Sequence, residues 1–190
     1  MTHLTGRFVE AVRYAADVHG DQLRKGTEVP YVSHLLAVAS FVLDDGGGED
    51  EAIAALLHDA AEDQGGRARL EDIRSRFGDT VAHIVEGCTD NWTNPKEPWN
   101  VRKARYAEHA KTIDRETLRV SAADKVHNAY GILRDLRTHG EAVWKRFSAP
   151  PDDIISYYDQ MVRSFRQAGG GELVDELERV VRGIKREMGY

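Results

Sequence analysis

The sequence predicts an all-α protein, a compact multi-helix bundle, on three observations. Apolar residues recur at helical spacing along nearly the whole chain. No period-two alternation is long enough to make a strand, and clusters of glycine or proline end each periodic run before the next begins. In chain order, Phe8, Val12, Ala15 and His19 fall on i, i+4, i+7 and i+11, which makes the first helix. The nearly apolar run from Leu35 to Leu43 makes the next, closed by Gly46-Gly47-Gly48. Ile53, Leu56, Leu57 and Ala60 repeat the spacing before Gly65-Gly66, and Val81, Ile84, Val85 and Cys88 repeat it after Gly78-Asp79. The Asn91-to-Trp99 stretch, with Pro95 and Pro98, reads as a loop. A run of small apolar residues around Ala122 and Ala123 adds a helix, and Pro150-Pro151 introduces the stripe Ile154, Tyr158, Met161 and Phe165. Behind Gly169-Gly170-Gly171, Leu173, Leu177, Val180, Val181 and Ile184 line a last helix from Glu172 to Met188. The total is roughly eight to ten helices. Residues 1–168 are expected to form the domain, with 169–190 packed on it or appended to it, as a mobile arm or as the contact of a homodimer.

A chain of 190 residues buries enough surface to fold without disulfides, and its single cysteine, Cys88, permits no internal bridge. The charged first twenty residues lack a signal-peptide core, and the run Leu35 to Leu43 is far too short to span a membrane. The expectation is a cytoplasmic protein with no membrane partner. The net charge of −6 has the wrong sign for a general nucleic-acid binder. Residues 101–150 nevertheless hold 11 basic and 6 acidic side chains, a basic middle on an acidic protein that reads as a local anion site or as a solvated helix face.

Phosphate-loop, dinucleotide, serine-elbow and H-E-x-x-H motifs are absent. The informative pieces are His34, then His58-Asp59 with Glu62-Asp63, and Asp124 with Asn128. A helix that has just laid Leu56 and Leu57 into a core rarely follows them with four ionisable residues, because burying an unpaired charge costs several kcal/mol. On one continuous helix, His58 with Glu62 and Asp59 with Asp63 are i, i+4 pairs along one side. His34 and Asp124 are likewise set among apolar neighbours. Two imidazoles and two carboxylates from three helices make a mixed site for a divalent first-row metal, able to polarise a phosphoryl oxygen and to lower the pKa of a water.

Together these residues resemble the HD-domain phosphohydrolases, whose ligand pattern is H…HD…D, and more closely the hydrolase domain of the alarmone synthetase/hydrolases and their small single-domain relatives. The matching blocks are His19 to Gly26, Pro30 to His34, Ala55 to Asp63, Phe77-Gly78, Cys88 to Asp90 and Ala123 to Asn128, in the family's order. The resemblance implies an HD-domain bundle and a 3′-pyrophosphohydrolase acting on guanosine 3′,5′-bis(diphosphate) and its pentaphosphate. It implies a Mn²⁺ cofactor held by His34, His58, Asp59 and Asp124. It implies that Glu62 and Asp63 work beside the attacking water, and that Arg24, Lys25, Asn128 and Tyr157 bind the nucleotide.

Two departures stand out. The family's His-Pro pair is His34-Leu35, and where relatives place an arginine about a turn before Tyr157 this chain has Asp152-Asp153, which leaves Arg146 or the Lys96, Arg102, Lys103, Arg105 group to meet phosphate. A different nucleotide, such as an adenosine analogue or a nucleoside monophosphate, is the alternative reading, and a helical binding module with a vestigial site is a third. Without a catalytic role, Glu62 and Asp63 would be an acidic helix C-terminus, which the helix dipole disfavours. His19 reads as a supporting imidazole. His3, His83, His109, His127 and His139 read as surface or core residues, and Cys88 and Met161 as packing. Trp92 and Trp99 read as a lid over the nucleotide or as anchors for their loop.

Overall fold

The computed structural model describes residues 2–92 and 95–190, and every regular element among them is helical apart from one isolated antiparallel bridge, Leu23 to Pro30. Thr93 and Asn94, within the loop read between Asn91 and Trp99, lie outside the described residues.

Helix α1 (Gly6–His19) starts at Thr5, whose side chain accepts from the Arg7 amide, and it buries Ala11, Tyr14, Ala15 and His19. Serine, threonine and aspartate favour such positions because they satisfy amides that the first turn leaves without carbonyl partners. The bridged loop then feeds α2 (Val32–Asp44). Helix α3 (Glu49–Leu57) is the centre of the bundle, with every residue from Glu51 to Leu57 buried, and it packs against α1 and α2. This explains why, after the acidic first turn, Ala52 to Leu57 is apolar without a break.

Beyond a short α4 (Ala60–Asp63), α5 (Gly66–Phe77) and α6 (Asp79–Cys88) form a helical hairpin. It turns on Gly78 at φ +94°, a left-handed conformation that only glycine adopts freely. Helix α7 (Trp99–His109) leads to α8 (Arg115–His139), the longest rod, capped by Asp114 accepting from the Thr117 amide at 2.8 Å. A 3₁₀ helix (Gly140–Arg146) and α9 (Pro151–Gln167) follow, with proline at the first turn of α9, where no amide hydrogen is needed.

Helix α10 (Glu172–Glu187) is no loose arm. Its stripe of Leu173, Val174, Leu177, Val180, Val181 and Ile184 is buried against α8 and α9, and a Cβ on Gly183 would come within 3.0 Å of Leu133. Lys185 pins it to Asp159 at 2.6 Å and Arg137 reaches Glu187 at 2.8 Å. The apolar face that the sequence offered for a homodimer is therefore consumed within the chain.

Candidate active site

Four helical segments deliver the predicted ligands. His34 stands in the first turn of α2, His58 and Asp59 form the junction between α3 and α4, and Asp124 sits midway along α8. The expected single helix carrying His58 to Asp63 is interrupted, since α3 ends at Leu57 and α4 begins at Ala60. The interruption is slight, because the Asp63 amide still donates to the Asp59 carbonyl at 2.9 Å. It lets the His58 ring turn back so that Nδ1 donates to the Ala55 carbonyl at 2.8 Å.

The side chains converge. His34 Nε2 lies 3.2 Å from Asp124 Oδ1 and 3.7 Å from Asp59 Oδ2, and His58 Nε2 lies 3.0 Å from Asp59 Oδ2 and 3.6 Å from Asp124 Oδ1. Ligand atoms of His34, His58 and Asp59 all fall within 4.8 Å of one another. Both Nε2 atoms are buried without a hydrogen-bond partner, a state that costs free energy unless a cation takes them up. Two imidazole nitrogens and two carboxylate oxygens fit a divalent first-row metal by donor type; His34, His58 and Asp59 meet its spacing together, and Asp124 reaches both imidazoles.

Electrostatics agree with that fit. Burial opposes charge on His58, yet Asp59 and Asp124 outweigh it and set the pKa well above the usual histidine range. Burial would likewise raise the two carboxyls, but His58 beside Asp59 and Lys125 beside Asp124 hold both well below the usual carboxylate range. Groups that draw a proton so strongly onto Nε2 also draw a metal there, and the two compete.

The second ring of contacts holds residues that the sequence reading passed over. Tyr31 donates to Asp59 Oδ2 at 2.6 Å, and Lys125 donates to Asp124 Oδ2 at 2.5 Å. His127, read as an ordinary core or surface histidine, has Nδ1 only 2.7 Å from His34 Nδ1. Burial, then the neighbouring His34, pushes the pKa of His127 down to about 4, so the ring is neutral. The placement of Lys125 and His127, one and three residues after Asp124 on α8, was the available signal. His19 stacks on Tyr31 with ring centroids 5.2 Å apart.

Glu62 and Asp63 come together around Lys96, whose ammonium lies 2.7 Å from Glu62 Oε1 and 3.0 Å from Asp63 Oδ1. Glu62 also accepts from the Asp90 amide at 3.2 Å, and Asp63 from the Gln22 side chain at 3.0 Å. Desolvation first, and Asp90 second, raise the Glu62 pKa above its ordinary value, with Lys96 pulling the other way. A carboxylate poised in this direction is suited to take a proton near neutral pH.

Beside the centre opens a cleft of about 530 Å³ whose lining includes all four residues expected to bind nucleotide, Arg24, Lys25, Asn128 and Tyr157. Tyr31, Lys125 and His127 line it as well and each touches a ligand residue, so the cleft and the centre share a wall. Lys103, Arg134 and Arg146 bring its cations to six, against one carboxylate, Asp135. Asn128 is doubly held, accepting from Arg24 at 3.0 Å and donating to Asp124 at 2.5 Å. The Tyr157 hydroxyl is buried with no partner, and Trp99 packs edge-on against its ring at 5.8 Å.

Of the cations nominated for phosphate, Arg146 and Lys103 line the cleft. Arg102 and Lys103 both pair with Asp90, Arg105 pairs with Glu97, and Lys96 serves the acids. Asp152 accepts from Tyr190. Trp99 stands in the cleft wall, whereas Trp92 lies under the Arg67 guanidinium at 3.8 Å. Burial pushes the Cys88 thiol far above its ordinary pKa, which disfavours the nucleophilic thiolate.

The family described as HD domain matches residues 11–155, well over half of the chain. The chain belongs to the HD-domain family. Within it, the chain is similar to the guanosine-3′,5′-bis(diphosphate) 3′-pyrophosphohydrolase MESH1 of Xenopus tropicalis, 41% identical over 132 residues, 68% of this chain and 69% of that one. The MESH1 of Danio rerio is 32% identical over 186 residues, covering 95% of this chain and 97% of its own. A solved structure titled as a metazoan ortholog of SpoT that hydrolyzes ppGpp and plays a role in starvation responses superimposes with a TM-score of 0.77 at 28% identity, covering 96% of this chain and 97% of that one.

Proposed function

We propose that this protein hydrolyses the 3′-pyrophosphate of guanosine 3′,5′-bis(diphosphate) and its pentaphosphate, yielding GDP or GTP and pyrophosphate. The observation that carries the reading is the pair of bare, buried Nε2 atoms of His34 and His58, converging with Asp59 and Asp124 on the wall of a cationic cleft. His34, His58, Asp59 and Asp124 hold the metal, Mn²⁺ in this reading. When bound, the ion supplies charge that polarises a phosphoryl oxygen and acidifies water.

The remaining steps belong to the chain. Glu62 takes the proton of the attacking water, and Asp63, fixed by Gln22 and Lys96, orients it. The water oxygen bonds to the phosphorus attached to O3′, the P–O3′ bond breaks, and O3′ leaves as the 3′ hydroxyl by taking the proton that Glu62 received. Arg24, Lys25, Lys103 and Arg146 bear phosphate charge, and the unpartnered Tyr157 hydroxyl donates to the nucleotide.

The partner is a free nucleotide rather than a nucleic acid, since the cations gather in a cleft of an acidic protein. No described helix is long and apolar enough to cross a membrane, and a free nucleotide as substrate supports a cytoplasmic setting. The test is pyrophosphate release from the tetraphosphate with Mn²⁺, run beside a panel of adenosine alarmones and nucleoside monophosphates. Asp124→Asn should abolish both turnover and the rise in melting temperature that Mn²⁺ produces in the wild type. A metal-loaded wild type that leaves the tetraphosphate intact rejects the assignment.

A further inference from the structure

The two imidazoles of the centre are held in unlike ways. His58 gives its Nδ1 hydrogen to a backbone carbonyl, which only accepts, so whenever the ring is neutral its tautomer has no alternative and Nε2 is the lone pair. His34 instead faces another imidazole, Nδ1 to Nδ1 at 2.7 Å, with the rings 4.9 Å apart and inclined by 34°. Such a contact holds one hydrogen, and either ring is able to own it. When His127 owns it, neutral His34 carries its hydrogen on Nε2, pointed toward Asp124 Oδ1 at 3.2 Å, and that nitrogen cannot ligate. When His34 owns it, Nε2 is bare. His34 is wholly buried, so His127 rather than solvent is what its Nδ1 meets.

We propose that His127 is a positioning residue which, by presenting its own Nδ1 as acceptor, selects the ligating tautomer of His34. The inference rests on the metal-dependent reading of the centre. It assigns His127 the part that a carboxylate or carbonyl usually plays behind a metal-bound histidine, where loss of such a partner weakens binding by about 10–100-fold. His127 also lines the cleft, so the residue that sets the ligand is itself within reach of bound nucleotide.

Two measurements on the full-length, chelator-stripped protein test this without reference to turnover. The first is calorimetric titration of Mn²⁺ into wild type, His127→Leu and His127→Asn, each checked for an unchanged far-ultraviolet spectrum. Leucine removes the acceptor, and affinity should fall by about 10–100-fold. Asparagine returns an amide oxygen near the Nδ1 position and should restore most of it. The second is a long-range ¹H–¹⁵N spectrum of the Zn²⁺-loaded wild type, in which His127 should carry its hydrogen on Nε2 alone. This spectrum decides the matter even if the leucine variant does not fold. A folded leucine variant that binds Mn²⁺ as the wild type does, or a His127 protonated at Nδ1 in the loaded protein, overturns the inference and leaves the hydrolase reading standing. A wild type that takes up neither metal overturns both.

Discussion

Replacing Lys96 by methionine should move the acidic limb of the pH–rate profile upward. Lys96 lies 2.7 Å from Glu62 Oε1, and its charge is what restrains a carboxyl already raised by burial and by Asp90. Glu62 must be ionised to accept a proton, so the rate climbs as pH rises through its pKa. Removing a neighbouring cation disfavours the carboxylate, and the climb is displaced to higher pH. Because the Lys96 side chain is 43% exposed, water-like screening is the fitting limit. Coulomb's law at that screening and the observed 2.7 Å separation gives about 1.5 kcal/mol, about one pKa unit. The assay is kcat/KM for pyrophosphate release with Mn²⁺ between about pH 5 and 9, which reports groups on the free enzyme. The wild-type limb should lie above 4.5, the ordinary glutamate value, and the variant's about one unit higher. Glu62→Gln should lose about 10²–10⁴-fold in rate and the limb with it. A limb that stays in place in Lys96→Met, or moves to lower pH, removes Glu62 as the titrating base.

Three further outcomes follow from packing and charge. Gly26 sits at φ +71°, and a Cβ there would come 2.5 Å from Arg146 Cδ, so Gly26→Ala should cost at least about 1–2 kcal/mol and displace a cleft cation; both melting temperature and KM should report it. Leu177→Ala empties a fully buried site under α8 and should destabilise by about 2–5 kcal/mol in a urea titration; a loss below about 1 kcal/mol would contradict the docking of α10. Burial alone would raise the Asp90 carboxyl, but Lys103 and Arg102 hold it below the ordinary 3.8. Its stabilisation is therefore complete above that value and lost as pH falls through the lower folded value. Acid unfolding of Asp90→Asn should accordingly be shallower than that of the wild type, from a lower stability at neutral pH.

Much of this was legible in the chain itself, for reasons that differ by residue. Helical runs such as Leu173 to Ile184 declare themselves because a stripe facing a core repeats every three to four residues. His34, His58, Asp59 and Asp124 were conspicuous because ionisable groups among leucines and alanines need compensation. The break between Leu57 and Ala60 was hidden, since His58 and Asp59 keep near-helical backbone angles and neither is a glycine or proline. Tyr31 and His127 escaped notice because their importance lies in partners 28 and 93 positions away. Spacing along α8 sets His127 near Asp124 but does not name the partner on another helix. The 3₁₀ turn that brings Arg146 into the cleft was equally silent, because Gly140 to Arg146 has no period long enough to register.

Helix α8 has two jobs on opposite flanks. One flank bears Asp124, Lys125, His127 and Asn128, and the other is braced by α10 through Leu133 against Gly183. The final helix is thus a splint for the rod that carries the chemistry. Removing α10 should loosen α8 and lower activity through it, although no residue of α10 enters the cleft lining. The fold's own brace, rather than the cleft, is what a truncation at that end would remove.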